Sequence, residues 1–344
     1  MSTPDARKLY VSRLDTINNQ VSSLMIHLNE FNRRVTGIDD ALNRLPTRIQ
    51  QIRKMNYRVM INLENDIDSL SKEWATAKPG VANLIESTVP ALTSEGRNIE
   101  NELGQKRFSS NSDVAQLGGI EFRVSTLNAR VSDLAGRVSG FTGGIMNRFQ
   151  SLDADVGIAE RTLNLSSGSS FQWKENESPI ISVNAKDLNN DVEGILSLTS
   201  QRFLFESQKE VVLKKTLFIA TQKKKVRETM VDKPVGIVDS IVKGRVGILS
   251  GQGLYITFKP NSGQQEMKLD TKGDDTDLVI RFHQLISSGE ADLELDKIKG
   301  PKTDEQKSIP LVCPRCGAPY TAEIYRGQTS LQCKYCSTAI PISR

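Results

Sequence analysis

From Leu14 to Leu45 the apolar residues Leu14, Ile17, Val21, Leu24, Leu28, Phe31, Val35, Ile38, Leu42 and Leu45 follow one another at steps of three and four without a miss. Such stepping keeps one stripe on a single face of a helix, and a stripe that long must be buried against other helices. The pattern resumes with Met60, Leu63, Ile67, Leu70, Trp74 and Ala77. It returns a third time at Ile120, Val124, Leu127, Val131, Leu134, Val138, Phe141 and Ile145, then continues through Phe149, Leu152, Val156, Ala159 and Leu163. Pro46 is expected to interrupt the first helix and Lys78-Pro79-Gly80 to stop the second, because proline lacks an amide hydrogen and restricts the residue before it. Residues 81–105 read as weaker helix. A turn is expected at 109–112, with Ser112 or Asp113 as the N-cap of the last helix.

Two assemblies satisfy these stripes. In heptad terms Val124, Val131, Val138 and Ile145 occupy position a and Leu127 and Leu134 position d, a choice that favours a parallel two-stranded coil. Arg123, Arg130 and Arg137 then fall at g with Asn128, Ala135 and Thr142 at e, so a parallel homodimer offers the arginines no acid. Long helices folding back as an intramolecular bundle is the alternative. Gly136, Gly140 and Gly144 suggest close helix approach or a hinge. The expected architecture is multidomain α + β: a helical bundle or coiled coil over 1–164, a β domain over 165–292, a linker over 293–309 and a small module over 310–344.

In the second part the period changes. Strands are expected at Ile180–Val183, Gly194–Leu198, Arg202–Glu206, Val211–Ala220, Val235–Val242 and Leu254–Phe258, followed by a helix over Thr276–Ile286. The stretch Val192-Glu-Gly-Ile-Leu-Ser-Leu-Thr-Ser-Gln-Arg-Phe-Leu-Phe-Glu206 resembles the strand–turn–strand signature of GRAM and related PH-like domains. Ile237–Gly247 and the closing helix sit where that family places them. The resemblance covers about 120 residues and implies an antiparallel β domain with a C-terminal helix, serving lipid headgroups, peptides or partner proteins rather than catalysis.

The residues themselves point first to a fold role. Leu196, Leu198, Phe203 and Phe205 alternate as one buried face of a hairpin should, whereas Leu204 breaks the polar alternation and suggests a second covered face. Arg202 follows the turn at Ser200-Gln201, where its guanidinium is placed to clamp backbone carbonyls. Lys223-Lys224-Lys225-Val226-Arg227 sets Lys225 and Arg227 on one side of an extended segment. With Lys214 and Lys215 these residues form a candidate contact for an anionic lipid headgroup. The competing reading is a solvated strand end whose lysines guard an edge.

The third part carries the only four cysteines, in CPRCGAPYTAEIYRGQTSLQCKYC, residues 313–336. Cys313, Cys316, Cys333 and Cys336 form two C-x-x-C pairs at zinc-site spacing, each pair delivering two thiolates to one tetrahedral ion. The module resembles a zinc ribbon, with one structural Zn2+ supplying much of its folding free energy. Arg315, Arg326, Lys334 and Tyr335 are its available contacts for phosphate or a base.

Charge argues against a nucleic-acid role. The total of 45 Lys+Arg against 41 Asp+Glu divides as 20 against 19 over 1–164, 17 against 17 over 165–292, and 8 against 5 over 293–344. No large region has the basic excess of a nucleic-acid-binding domain. His27 and His283 have no catalytic neighbourhood in sequence, and neither a Walker loop nor a dinucleotide fingerprint is present. The polar N-terminus and the metal-like use of every cysteine fit a reducing cytoplasm. The expectation is a non-enzymatic cytoplasmic scaffold or adaptor with protein partners, homo-oligomeric through its helices if they form a coiled coil. Peripheral binding to anionic membrane is the first alternative and a nucleic-acid-associated regulator the second.

Overall fold

The computed structural model describes residues 4–216, 219–246, 251–260, 262–271, 273, 275–291, 312–319 and 324–342, with backbone alone at 4, 111, 210–216 and 219–225. The chain forms two compact units, residues 1–47 with 63–153 and residues 48–62 with 154–344.

Three long helices account for the periodic sequence: α1 (Pro4–Lys54), α2 (Leu63–Gln105) and α3 (Asn111–Ser166). Pro46 lies inside α1, and Pro79 and Pro90 inside α2, so the expected breaks do not occur. A proline in a helix interior costs about 3 kcal/mol. Ending α2 at Pro79 would strand Val81, Leu84, Ile85 and Leu92, all buried, and each such side chain contributes roughly 1.5–3 kcal/mol. Continuity of the stripe therefore wins. In α1, Leu45, Ile49 and Ile52 are likewise buried on both sides of Pro46.

Ion pairs fix how the helices of the first unit run. On α3, Arg123 pairs with Glu102, Arg130 with Glu95 and Arg148 with Glu73 of α2, the indices falling as the others rise. That is an antiparallel pair. Asp39 of α1 accepts from Trp74 Nε1 at 2.7 Å and pairs with Lys78 Nζ at 2.9 Å, while Met25 of α1 lies against Gly96, again antiparallel. Arg13 grips Glu121 through two bonds of 2.7 and 2.5 Å and Arg48 grips Glu160 through two of 2.8 Å, the indices rising together, so α1 runs parallel to α3. The bundle is intramolecular, and two arginines left without acids by the coiled-coil reading find them on α2. The start of α3 also differs from expectation. Asp113 Oδ2 accepts the Ser110 N–H at 2.7 Å and the Ser109 N–H at 2.6 Å, so Ser110 takes the cap position and Asp113 reaches back as in a capping box.

In the second unit seven strands form one antiparallel sheet. They are β1 (Pro179–Asp187), β2 (Val192–Thr199), β3 (Arg202–Thr216), β4 (Ile219–Pro234), β5 (Val238–Arg245), β6 (Gln252–Phe258) and β7 (Met267–Thr271). The order β4-β3-β2-β1-β7-β6-β5 consists of two meanders joined where β1 meets β7. Helix α4 (Asp275–Ser287) buries Val279, Phe282 and Ile286 against it. This is the PH-like arrangement. β3 runs unbroken through Ser207–Glu210, which sequence patterning left between two strands, because its ladder with β4 continues there. Leu204 is buried as well as Phe203 and Phe205. The other face is covered by the end of α3: Ser166 Oγ meets Ser182 Oγ at 2.9 Å, which meets Ser197 Oγ at 2.8 Å, a buried chain of hydroxyls from helix to β1 and β2. The connection between α1 and α2 packs on the same unit, with Tyr57 fully buried and its hydroxyl donating to the Ile180 carbonyl at 3.3 Å.

Candidate metal centre

The two C-x-x-C turns are built alike. In the first, the Gly317 amide donates to the Cys313 carbonyl at 2.8 Å and the Cys313 amide to Ala318 at 2.8 Å. In the second, Ser337 donates to Cys333 at 2.9 Å and Cys333 to Thr338 at 3.0 Å. Gly317 and Ser337, each just after the second cysteine, take φ of +70° and +57°, the left-handed step that turns the chain back so that Ala318 and Thr338 meet Cys313 and Cys333. All four sulfurs lie within 4.8 Å of one another. Cys313 and Cys336 sulfurs are 3.6 Å apart, as are those of Cys316 and Cys333. These gaps exceed a disulfide bond of about 2.05 Å by far and match neighbouring ligands of one ion.

The cluster is also the core of its module. Cys313, Cys333 and Ile340 are buried together with Cys336 packed against them. Around them lies one short hairpin of β8 (Ser330–Gln332) and β9 (Ala339–Pro341), in which Leu331 faces Ile340. The donor set fits a soft or borderline cation, and little else in the described residues would hold the knuckles together. Electrostatics agree: although the Ala318 amide lowers it, desolvation and three neighbouring sulfurs push the Cys316 thiol up to about 12, while the Thr338 hydroxyl and amide lower Cys336. Four crowded sulfurs resist holding four negative charges until a cation shares them.

Between the knuckles the chain makes a tight turn that rests on the β domain. The Gln328 amide donates to the Tyr325 carbonyl at 3.1 Å, with Gly327 at φ +80°, the residue a type II turn requires at its third position. Arg326 Nε donates to the Ser200 carbonyl at 3.1 Å and Nη1 to the Ile286 carbonyl at 2.6 Å, while Gly236 N–H donates to the Arg326 carbonyl at 3.1 Å. Lys259 Nζ sits 4.8 Å over the Tyr325 ring. Arg326, proposed from sequence as a phosphate contact, thus binds protein carbonyls. Nothing in its spacing announced this, although the Arg-Gly pair between two knuckles is a readable turn signal.

Of the anion candidates, Arg227 is engaged: Nη1 donates to the Leu165 carbonyl at 2.5 Å at the end of α3. The side chains of Lys214, Lys215, Lys223, Lys224 and Lys225 lie outside the described residues. Their backbones pair across β3 and β4, Lys223 opposite Val212, Lys224 opposite Val211 and Lys225 opposite Glu210. Arg202 is a clamp, on a carboxylate more than on carbonyls. Nε and Nη2 grip Glu177 at 2.9 and 2.6 Å, Nη1 reaches Asp232 at 2.6 Å, and Nη2 also reaches the Gln172 carbonyl at 2.8 Å. His283 is buried on α4, and burial alone pushes its pKa down.

Sequence reasoning missed one surface. A cleft of about 310 Å3 opens between Met55, Asn56, Leu163, Trp173, Lys174 and Pro179. Trp173 is 40% exposed and Met55 52%. Both lie outside the periodic stripes, which is why patterning passed over them.

Among the described residues no helix is long and apolar enough to cross a membrane. No family model matches the chain, and no curated protein sequence matches it. Among solved structures it is similar to the linker-DH/PH domains of p115-RhoGEF, at 9% identity and a TM-score of 0.23, over 83% of this chain and 99% of that one. So loose an overlap carries no argument about function, and the PH-like description of the β domain rests on its own strand order and closing helix.

Proposed function

We propose that this chain is a non-enzymatic adaptor whose GRAM-like domain and zinc-held ribbon bind protein partners. The observation that carries the reading is the cleft beside Trp173, where an exposed tryptophan and methionine border about 310 Å3 of open space. Tryptophan dominates interface energies when a partner covers it, and methionine adapts to irregular surfaces. Four thiolates suit zinc: Zn–S bonds of about 2.3 Å put tetrahedral sulfurs roughly 3.8 Å apart, close to the 3.6 Å separations here. Four sulfur ligands complete that shell, so the ion's role is structural. In the bundle, Phe122 and Ile26 are 74% and 59% exposed and supply apolar contact for assembly with further helices.

The test is affinity purification with the full chain and with Trp173→Ala as baits, alongside elemental analysis. Stoichiometric partners retained by the wild type and lost from the variant, with one zinc per chain, support the reading. Partners indifferent to the substitution, or none at all, overturn it.

A second reading has its own observation. The ladder of β3 and β4 gathers Lys214, Lys215 and Lys223–Lys225 near one end of a hairpin, and basic residues near an anionic surface contribute about 1 kcal/mol each. Salt-sensitive sedimentation with phosphatidylserine vesicles, abolished by neutralising Lys223–Lys225, would favour membrane binding over protein partners.

A further inference from the structure

The turn Tyr325–Gln328 meets the β domain as a ligand meets its site. Three separate segments supply the receiving groups: the turn between β2 and β3 through the Ser200 carbonyl, residues 235–237 through the Gly236 amide, and the last turn of α4 through the Ile286 carbonyl. Each reads a different part of the same short segment. The two carbonyls take the guanidinium, which also answers the negative end of the α4 dipole. The Gly236 amide takes the Arg326 carbonyl, and Lys259 covers the aromatic ring before it. After the arginine only glycine fits, since a Cβ at position 327 would overlap the Gln201 carbonyl. That carbonyl is itself held by the Val235 amide at 2.8 Å. The segment continues through Thr329, whose carbonyl accepts the Ile342 amide at 2.8 Å, into β8 and thence Cys333. Its shape is therefore fixed at the cysteine cluster, one short strand away.

We propose that this face of the β domain is a binding site for an aromatic–Arg–Gly turn, occupied in cis by Tyr325–Gly327, and that metal at the four cysteines controls its occupancy. The control step rests on the zinc reading above; the site itself does not. Without a metal the turn loses the framework that presents three residues at once, and the cost of ordering it falls on the docking contacts.

Amide exchange in the full chain tests this, read at Gly236 and, as an internal reference, in β1 and β2. Stripping the metal with a chelator should accelerate exchange at Gly236 by roughly 5- to 150-fold, the usual span of coupling between linked sites, and leave the reference strands unchanged. In the metal-loaded chain Arg326→Ala and Gly327→Val should accelerate Gly236 to a similar degree while keeping the metal. Restoring metal should reprotect the wild type alone. Unchanged exchange at Gly236 in both variants overturns the site. Unchanged exchange in a wild-type chain shown to have lost its metal overturns the control. A chain that takes up no metal overturns the control together with the zinc reading, and the two variants still decide the site.

Discussion

The Arg202–Glu177 pair is where the β domain is most exposed to a single substitution. Arg202 is 3% exposed and Glu177 is buried beside it, joined by two bonds of 2.9 and 2.6 Å. Glu177 also accepts the Thr199 hydroxyl at 2.6 Å and the Lys174 amide at 2.9 Å. Arg202→Leu removes four guanidinium bonds and leaves a buried carboxylate with two neutral donors. Breaking one side of a buried ion pair costs about 3–5 kcal/mol, most of it the uncompensated charge. The guanidinium plane also lies 5.0 Å over Phe171, so packing is lost along with charge. Asp232→Asn is the internal comparison. Asp232 accepts from the same arginine, but its side chain is 42% exposed, and water screens what the substitution removes. Its loss should cost no more than about 1 kcal/mol.

Because the chain has two compact units, global unfolding would mix their transitions, and exchange of the β2 and β3 amides gives the local free energy directly. Arg202→Leu within about 1 kcal/mol of wild type, or an Asp232→Asn chain as unstable as Arg202→Leu, would refute the ranking of buried over exposed partners. Acidity adds a second check. Although desolvation opposes it, Arg202, Thr199 and the Lys174 amide hold Glu177 below the usual glutamate range. Its contribution is thus fully present above the ordinary glutamate pKa and is lost as pH falls through the depressed folded value. Glu177→Gln should flatten that acid limb.

Cys316→Ser should abolish metal uptake by elemental analysis and remove exchange protection from the β8–β9 pair, because Cys316 supplies one of the four clustered sulfurs and buried Cys313 and Cys333 pack with Ile340 under that hairpin. In the bundle Leu134→Ala, at a site 1% exposed, should cost about 2–5 kcal/mol. Arg130→Ala, half exposed opposite Glu95, should cost under about 1 kcal/mol, both variants being read by exchange of the α3 amides. Gly194→Ala should destabilise β2 by about 1–3 kcal/mol, since a Cβ there overlaps the Glu206 carbonyl across the ladder. A full-strength β2 exchange profile in that variant would show that the two strands part more easily than their pairing implies.

Apolar spacing carries the long helices because burial of a stripe is a repeated, additive effect, legible at every turn of α1 and α3. The local proline rule misleads at Pro46 and Pro79, because its penalty is outweighed by the additive burial of side chains several residues downstream. Strands β1, β2 and β6, the start of β3 and the clustering of the four cysteines were legible for a similar reason, since period two and paired C-x-x-C are local patterns, whereas most of β4 and all of β7 were passed over. The choice between bundle and coiled coil was not. It depends on whether Arg123 and Arg130 meet acids on another segment, and Glu102 and Glu95 become identifiable only once α2 is known to run antiparallel to α3. Trp173 and the turn at Arg326 stayed hidden because each is a single residue whose role is set by segments distant in sequence.

Four arginines of the second unit share one use that net charge conceals. Arg53 donates to the carbonyls of Tyr57, Val59 and Met60, and Arg227 to Leu165 at the end of α3. Arg326 donates to Ser200 and Ile286, and Arg202 adds Gln172 to its carboxylates. Each site is the end of a helix or the turn of a loop, where carbonyls lack partners from regular structure and would otherwise need water. A guanidinium suits them because it presents five donors in a fixed fork and stays charged. Read as free charge, these residues suggest a surface for phosphate. Read with their acceptors, four of them hold backbone in place, and the positive balance of the chain says correspondingly less about what it binds.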